Sequence, residues 1–194
     1  YRDAEGCIAY RAERWEKGDE KSFIQSRPNG QGGWIAGIKG INRVLYRLPE
    51  LIAAPAGSTV FVVEGEKKVE ALMSWGLIAT CNVGGAGKWN KKYSNYLSGH
   101  NVVILPDNDP VNLETGKRTG YEHARDIIES TGGMAKSIRI LELPGLPPKG
   151  DIVDWIELGH TLPELMKLLE EPIGELPEIR IEETDRVKSV IQEM

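Results

Sequence analysis

The sequence predicts an α/β protein: a parallel-sheet core flanked by helices, preceded by a small antiparallel β-rich module. Three observations predict it. Apolar runs at 59–65 and 101–109 are continuous rather than alternating, the pattern of strands buried on both faces. Segments of helical period stand between such runs, the alternation of a parallel sheet covered on both sides. Ahead of residue 58 the pattern is different, with short aromatic and β-branched segments separated by turn residues.

The elements follow in chain order. CIAYR (7–11), KSFIQSR (21–27) and GGWIAGI (32–38) are the expected strands of a meander, with EKGDE and RPNGQGG as separators. A helical stretch is expected over 43–52, and APAGS (54–58) reads as a linker. TVFVVEG (59–65) is a buried strand, and EKKVEALMSWG (66–76) is a helix with Val69, Leu72 and Met73 on one face and Gly76 as its stop. LIATCNV (77–83) is a strand, GGAGKW (84–89) a glycine-rich loop, and 91–97 a short helix. NVVILPDND (101–109) is a strand that ends in acids. PVNLETGKRTG, which follows, reads as a small hairpin. A helix is expected over 121–130, a strand over 137–143, and helices over 151–159 and 161–171, the last with Thr161 as N-cap. Residues 171–183 read as a linker, and 185–194 as the start of a further helix. The expected organisation is a β-rich part over 1–57, the α/β domain over 58–160, and a C-terminal helix with an acidic tail over 161–194.

With 194 residues, 40% hydrophobic and 27% charged, the composition is that of a globular protein. No apolar run approaches a membrane span, and no signal peptide opens the chain, so no membrane partner is expected. Cys7 and Cys81 form no CxxC pair, which argues against a disulfide framework or a zinc ribbon. The expected compartment is the cytoplasm. The chain opens without Met, and we read it as part of something longer. The net charge of −5 argues at first against a nucleic-acid partner. Residues 161–194, however, carry nine acids against four bases, and residues 1–160 are neutral.

The chemistry concentrates at strand ends. Glu64 closes one apolar run, and Asp107 and Asp109 close another. In an open α/β sheet, ligands collect at the carboxyl ends of the strands. Carboxylates gathered there repel one another unless a cation is present, and hard oxygen ligands suit Mg²⁺ or Mn²⁺. Gly84, Gly85 and Gly87 let backbone N–H groups turn toward an anion, with Lys88, Lys91 and Lys92 beside them. GGAGKW is not a Walker A motif, because no Ser or Thr follows the Lys. In the N-terminal part, Arg11, Arg14, Lys21, Arg27, Arg43 and Arg47 alternate with Tyr10, Trp15, Phe23, Trp34 and Tyr46. That alternation fits either phosphate contacts with base stacking or a core with a solvated face. His100, His123 and His160 lack metal-ligand spacing and read as surface or structural. Cys81 shows no sign of activation, and there is no GxSxG.

VFVVEGEKKVEAL (60–72), NVGGAGKW (82–89), VVILPDNDP (102–110) and LPPKGDIVDWIE (146–157) together resemble, in this order, the Toprim domain of DNA primases. The similarity is nearest to the primases fused to helicases in phages, plasmids and mobile elements. It covers 59–157, and INRVLYRLPEL (41–51) resembles the segment just before Toprim in these proteins. The resemblance implies a primase: metal-dependent synthesis of short RNA primers from NTPs on a single-stranded DNA template, with a replicative helicase as a further partner. It implies Glu64 as general acid/base, Asp107 and Asp109 as ligands of Mg²⁺ or Mn²⁺, and Asp151 as a ligand of a second ion. Asp154 either shares that task or is a first-turn acid that favours the helix dipole. Two departures stand out. Lys68 occupies a position that is usually acidic, with Glu66 or Glu70 as partial substitutes, and the stretch after DND is longer than usual. The same fold also serves metal-dependent nucleases and topoisomerases. Lys68 also keeps open a non-catalytic nucleic-acid-binding module of a replication protein.

Overall fold

In a computed structural model of the chain, residues 1–17 and 20–171 are described, with the side chains of 16–21 left aside. The expected linker beyond 171 and the expected final helix lie outside the described residues.

Two sheets organise the chain. The first is antiparallel and holds β1 (Arg11–Lys17), β2 (Glu20–Pro28) and β3 (Trp34–Ala36) in that order. The second has four strands, β4 (Thr59–Val62), β5 (Ile78–Thr80), β6 (Asn101–Ile104) and β7 (Ser137–Ile140), all parallel and ordered β5-β4-β6-β7. Helices α1 (Leu48–Ile52), α2 (Glu66–Ser74), α3 (Lys91–Ser94), α4 (Thr119–Thr131), α5 (Ile152–Glu157) and α6 (Leu162–Glu170) complete it, with a 3-10 turn at Asn95–Leu97.

The continuous apolar runs are explained by burial on both faces. Side chains alternate across a strand. Val60, Val62, Val102 and Ile104 therefore face one core, with Tyr93, Leu97, and Ala124 and Ile127 of α4. Phe61, Val63, Val103 and Leu105 face the other, with Val69 and Leu72 of α2, Ile152 and Trp155 of α5, and Leu165 of α6. Tyr10, Ile38, Val44, Leu45, Leu48 and Leu51 join the first core. The Tyr10 hydroxyl donates to the Val44 carbonyl at 2.8 Å, which satisfies a buried polar group.

Three expectations need correction. The strand expected at 7–11 lies later, at Arg11–Lys17, and Ile8 makes only an isolated bridge to Arg2. The helix expected over 43–52 is confined to Leu48–Ile52. Arg47 stands in the left-handed region with φ 57°, where a helix cannot pass, and Pro49 sits in the first turn, the one place a helix tolerates it. The hairpin expected after DND has no strand. It is a turn in which the Asn112 side chain accepts from the N–H groups of Glu114 and Thr115, closed by Asn112 N–H to the Lys117 carbonyl at 2.8 Å.

The chain order within the parallel sheet places the site. From β4 the chain passes through α2 to β5 on one side. From β6 it passes through α4 to β7 on the other side. The connections leave β4 and β6 in opposite directions, so a crevice opens beyond their carboxyl ends. Among the described residues, no helix is long and apolar enough to cross a membrane.

Candidate active site

Glu64 and Asp107 flank that crevice. β4 and β6 run in register, Val62 beside Ile104, and each strand continues two or three residues before its acid. Glu64 is mostly buried, and among the described residues its Oε1 has no hydrogen-bond partner. Burial, with the Asp107 charge beside it, pushes its carboxyl up to about 7. Asp109 is fixed at the start of α4, where Gly120 N–H donates to its Oδ2 at 3.1 Å.

Gly120 is what lets these acids meet the helix. A Cβ there would lie 3.0 Å from Glu64 Oε1 and 3.1 and 3.2 Å from the backbone O and N of Asp107. Gly120→Ala is therefore expected to push the two acid-bearing segments apart and to lower stability by about 1–3 kcal/mol, as overpacking does. Urea unfolding measures this; an unchanged midpoint would show that the segments yield freely.

Lys68 enters the site from the third position of α2 and is 8% exposed. Its ammonium donates to both carboxylate oxygens of Asp107 and stands 3.4 Å from Asp151 Oδ2. Burial opposes its charge most, but the carboxylates of Asp107, Asp151 and Glu64 together hold the ammonium above its ordinary value. The acids considered as substitutes at this position are engaged elsewhere. Glu66 accepts from the Tyr1 hydroxyl, and Glu70 pairs with Arg47 at 2.7 Å and accepts from Tyr46.

Asp151 lies at the N-cap of α5. Its Oδ1 accepts from Val153 N–H at 2.6 Å, and Asp154 Oδ2 accepts from Asp151 N–H at 2.8 Å. This capping box gives Asp154 the local, helix-starting role. Asn108, between the two aspartates of DND, joins their loop to that of Asp151. Its N–H donates to the Gly150 carbonyl at 2.9 Å, its carbonyl accepts from Lys149 N–H at 2.7 Å, and its side chain donates to Leu146 and Pro147. Gly150 is required there, because a Cβ would meet Pro147 at 2.8 Å. Arg118 braces the same loop from the turn before α4. It donates to the Asp109 carbonyl at 2.9 Å, to Asn108 Oδ1 at 2.8 Å and to Glu142 at 3.0 Å. Sequence reasoning missed Asn108 and Arg118; the one signal was an Asn held between two acids.

Glu64, Asp107, Asp109 and Asp151 thus come together, with Lys68 among them. The glycine loop follows β5 at the same end of the sheet. Gly84, Gly85 and Gly87 all have positive φ, which suits glycine. The Gly87 N–H is already used, donating to His123 Nδ1 at 3.3 Å, and the Gly85 carbonyl accepts from Asn82 at 2.8 Å. Lys88, Lys91 and Lys92 are exposed. His123 is buried and structural, and burial pulls its imidazole down. Cys81 is fully buried, and burial pushes its thiol up. Arg47 is held by Glu70 and Glu50, and Arg27 by the Gly37 carbonyl. Trp15, Phe23 and Trp34 are exposed rather than core, with Arg11 4.2 Å over the Trp34 ring.

Among the described residues, no three His, Cys, Asp or Glu side chains gather closely enough to hold an ion by themselves. A hard ion that also binds substrate phosphates and water needs only one or two carboxylates. Glu64, with its unpartnered buried oxygen, and Asp109 beside it fit that need.

The arrangement of an antiparallel sheet beside a four-stranded parallel sheet with its helices has counterparts among solved structures. The structure is similar to that of the DnaG catalytic core, with a TM-score of 0.57 and 20% identity over 87% of this chain and 50% of that one. The chain thus spans about half the length of that core. It is also similar to the primase fragment of the bacteriophage T7 primase-helicase protein (TM-score 0.49, 16% identity, 87% and 60% of the two chains). A third similarity is to bacteriophage T7 lagging-strand DNA polymerase interacting with primase domains of two gp4 subunits bound to an RNA/DNA hybrid and dTTP (0.43, 14%, 84% and 77%). No protein-family model and no curated protein matches the sequence.

Proposed function

We propose that this chain is a fragment of the catalytic core of a DNA primase, a nucleotidyltransferase that joins ribonucleotides into a short RNA primer on single-stranded DNA. The observation that carries this reading is the Glu64 carboxylate, buried with an unpartnered oxygen beside Asp107 at the switch point of the sheet. The primase-core fold supports it.

In this reading a 3′-hydroxyl attacks the α-phosphate of an incoming NTP, and pyrophosphate leaves. Glu64 and Asp109 would hold Mg²⁺ or Mn²⁺, which when bound offsets triphosphate charge and lowers the pKa of the attacking hydroxyl. Without an ion, burial holds the Glu64 carboxyl near 7, and with one bound Glu64 would act in its charged form, as a ligand. Lys88, Lys91 and Lys92 give the triphosphate or the template strand a basic contact. Trp15, Phe23 and Trp34, exposed on the antiparallel sheet, offer faces for stacking template bases. A replicative helicase, as a linked domain or a separate protein, is the further partner of this reading.

The test incubates the protein with single-stranded DNA, labelled NTPs and Mn²⁺. RNA products that require both template and NTPs are the expected result. Cleavage of labelled DNA without NTPs would assign a nuclease instead. Lys68 is the one feature that favours a non-catalytic module, and absence of both products would establish that role.

A further inference from the structure

We propose that Lys68 is a built-in cation that takes the place of one divalent ion, so that no ion is bound between Asp107 and Asp151. The inference rests on the metal-dependent reading above for the remaining ion, at Glu64 and Asp109.

Three observations carry it. The Lys68 ammonium lies between the two carboxylates, donating to both oxygens of Asp107 and 3.4 Å from Asp151. An ion entering there would meet a like charge already seated on both Asp107 oxygens. Second, the placement makes no sense for α2 alone. A cation in the first turn of a helix opposes the helix dipole, and burying an unpaired one is unfavourable. The carboxylates facing it, Asp107 foremost and then Asp151, make that position tolerable. Third, Asp151 Oδ1 and Asp154 Oδ2 serve the α5 cap, which ties Asp151 to a structural task. Glu64 and Asp109 differ, because among the described residues no cationic side chain bonds either carboxylate and Glu64 Oε1 has no partner. Lys68 is a positioning residue here: it gathers the acid of the β6 end and the acid of the α5 cap without a ligand.

The test counts bound Mn²⁺ by electron paramagnetic resonance on the full chain. Lys68→Asp is expected to bind one more Mn²⁺ than the unaltered protein, between Asp107 and Asp151. Lys68→Gln, which removes the charge at similar length, should gain the same ion more weakly and decides the matter if Lys68→Asp does not fold. Asp151→Asn keeps the N-cap and should leave Mn²⁺ binding of the unaltered protein unchanged. Equal ion counts in the unaltered protein and the folded variants would overturn the inference, as would a second ion bound with Lys68 in place. The primase reading fails separately. No Mn²⁺ on the unaltered protein with one gained in Lys68→Asp would remove metal-dependent catalysis and leave the role of Lys68 standing.

Discussion

Glu64→Gln will abolish primer synthesis and at the same time raise the stability of the protein. The activity loss follows from removing a charged ligand of the ion that the reaction needs. The stability gain follows from the burial that pushes this carboxyl from 4.5 up to about 7. An acid whose folded pKa is raised is disfavoured in its charged form. Its cost is absent below the unfolded value, grows as pH rises through the interval, and is complete above the folded value. Without divalent ions, the variant should match the unaltered protein below pH 4.5 and exceed it by about 2 kcal/mol above pH 7. Thermal unfolding in EDTA across this range reads the effect. An advantage of the variant over the unaltered protein that is no larger at pH 8 than at pH 4 would show that Glu64 is well solvated or paired.

Asp107→Ala is the second large effect. It removes an acid of the site and both acceptors of a buried ammonium. Breaking such a pair by deleting one partner costs more than the pair contributes, because the other charge is left buried. Loss of primer synthesis is expected together with a destabilisation of about 3 kcal/mol. The double variant Asp107→Ala with Lys68→Met should recover most of that stability and none of the activity. Urea unfolding of the four proteins gives the coupling directly. Additive single effects would show that the two side chains are independent and that the pair is not what places Lys68.

The parts of the fold legible in the sequence were those with strong periodicity. The runs through Val60–Val63 and Val102–Leu105 read as buried strands because both faces of the sheet are covered. Glu64, Asp107 and Asp109 read as a site because they end those strands. β1 lies later than expected because RAERWEK shows no clean apolar alternation and its Trp15 is exposed. The short α1 was overextended because nothing in VLYR announces a left-handed Arg47. Lys68 was noticed only as a missing acid. Its partners lie on β6 and α5, so its role exists only once the sheet brings those ends together. Asp154 stands between two roles in the sequence for the same reason, and its hydrogen bond from Asp151 N–H shows the helix-capping one.

Asn108 has a consequence for how the site meets its ligand. By bonding Gly150, Lys149, Leu146 and Pro147, it makes the DND loop and the KGD turn a single mechanical unit. The spacing of Asp107, Asp109 and Asp151 is then set during folding, and little loop entropy is left to lose when a substrate arrives. The crevice is preorganised, and a change in the turn before α5 will be felt at the end of β6 as a shift in geometry.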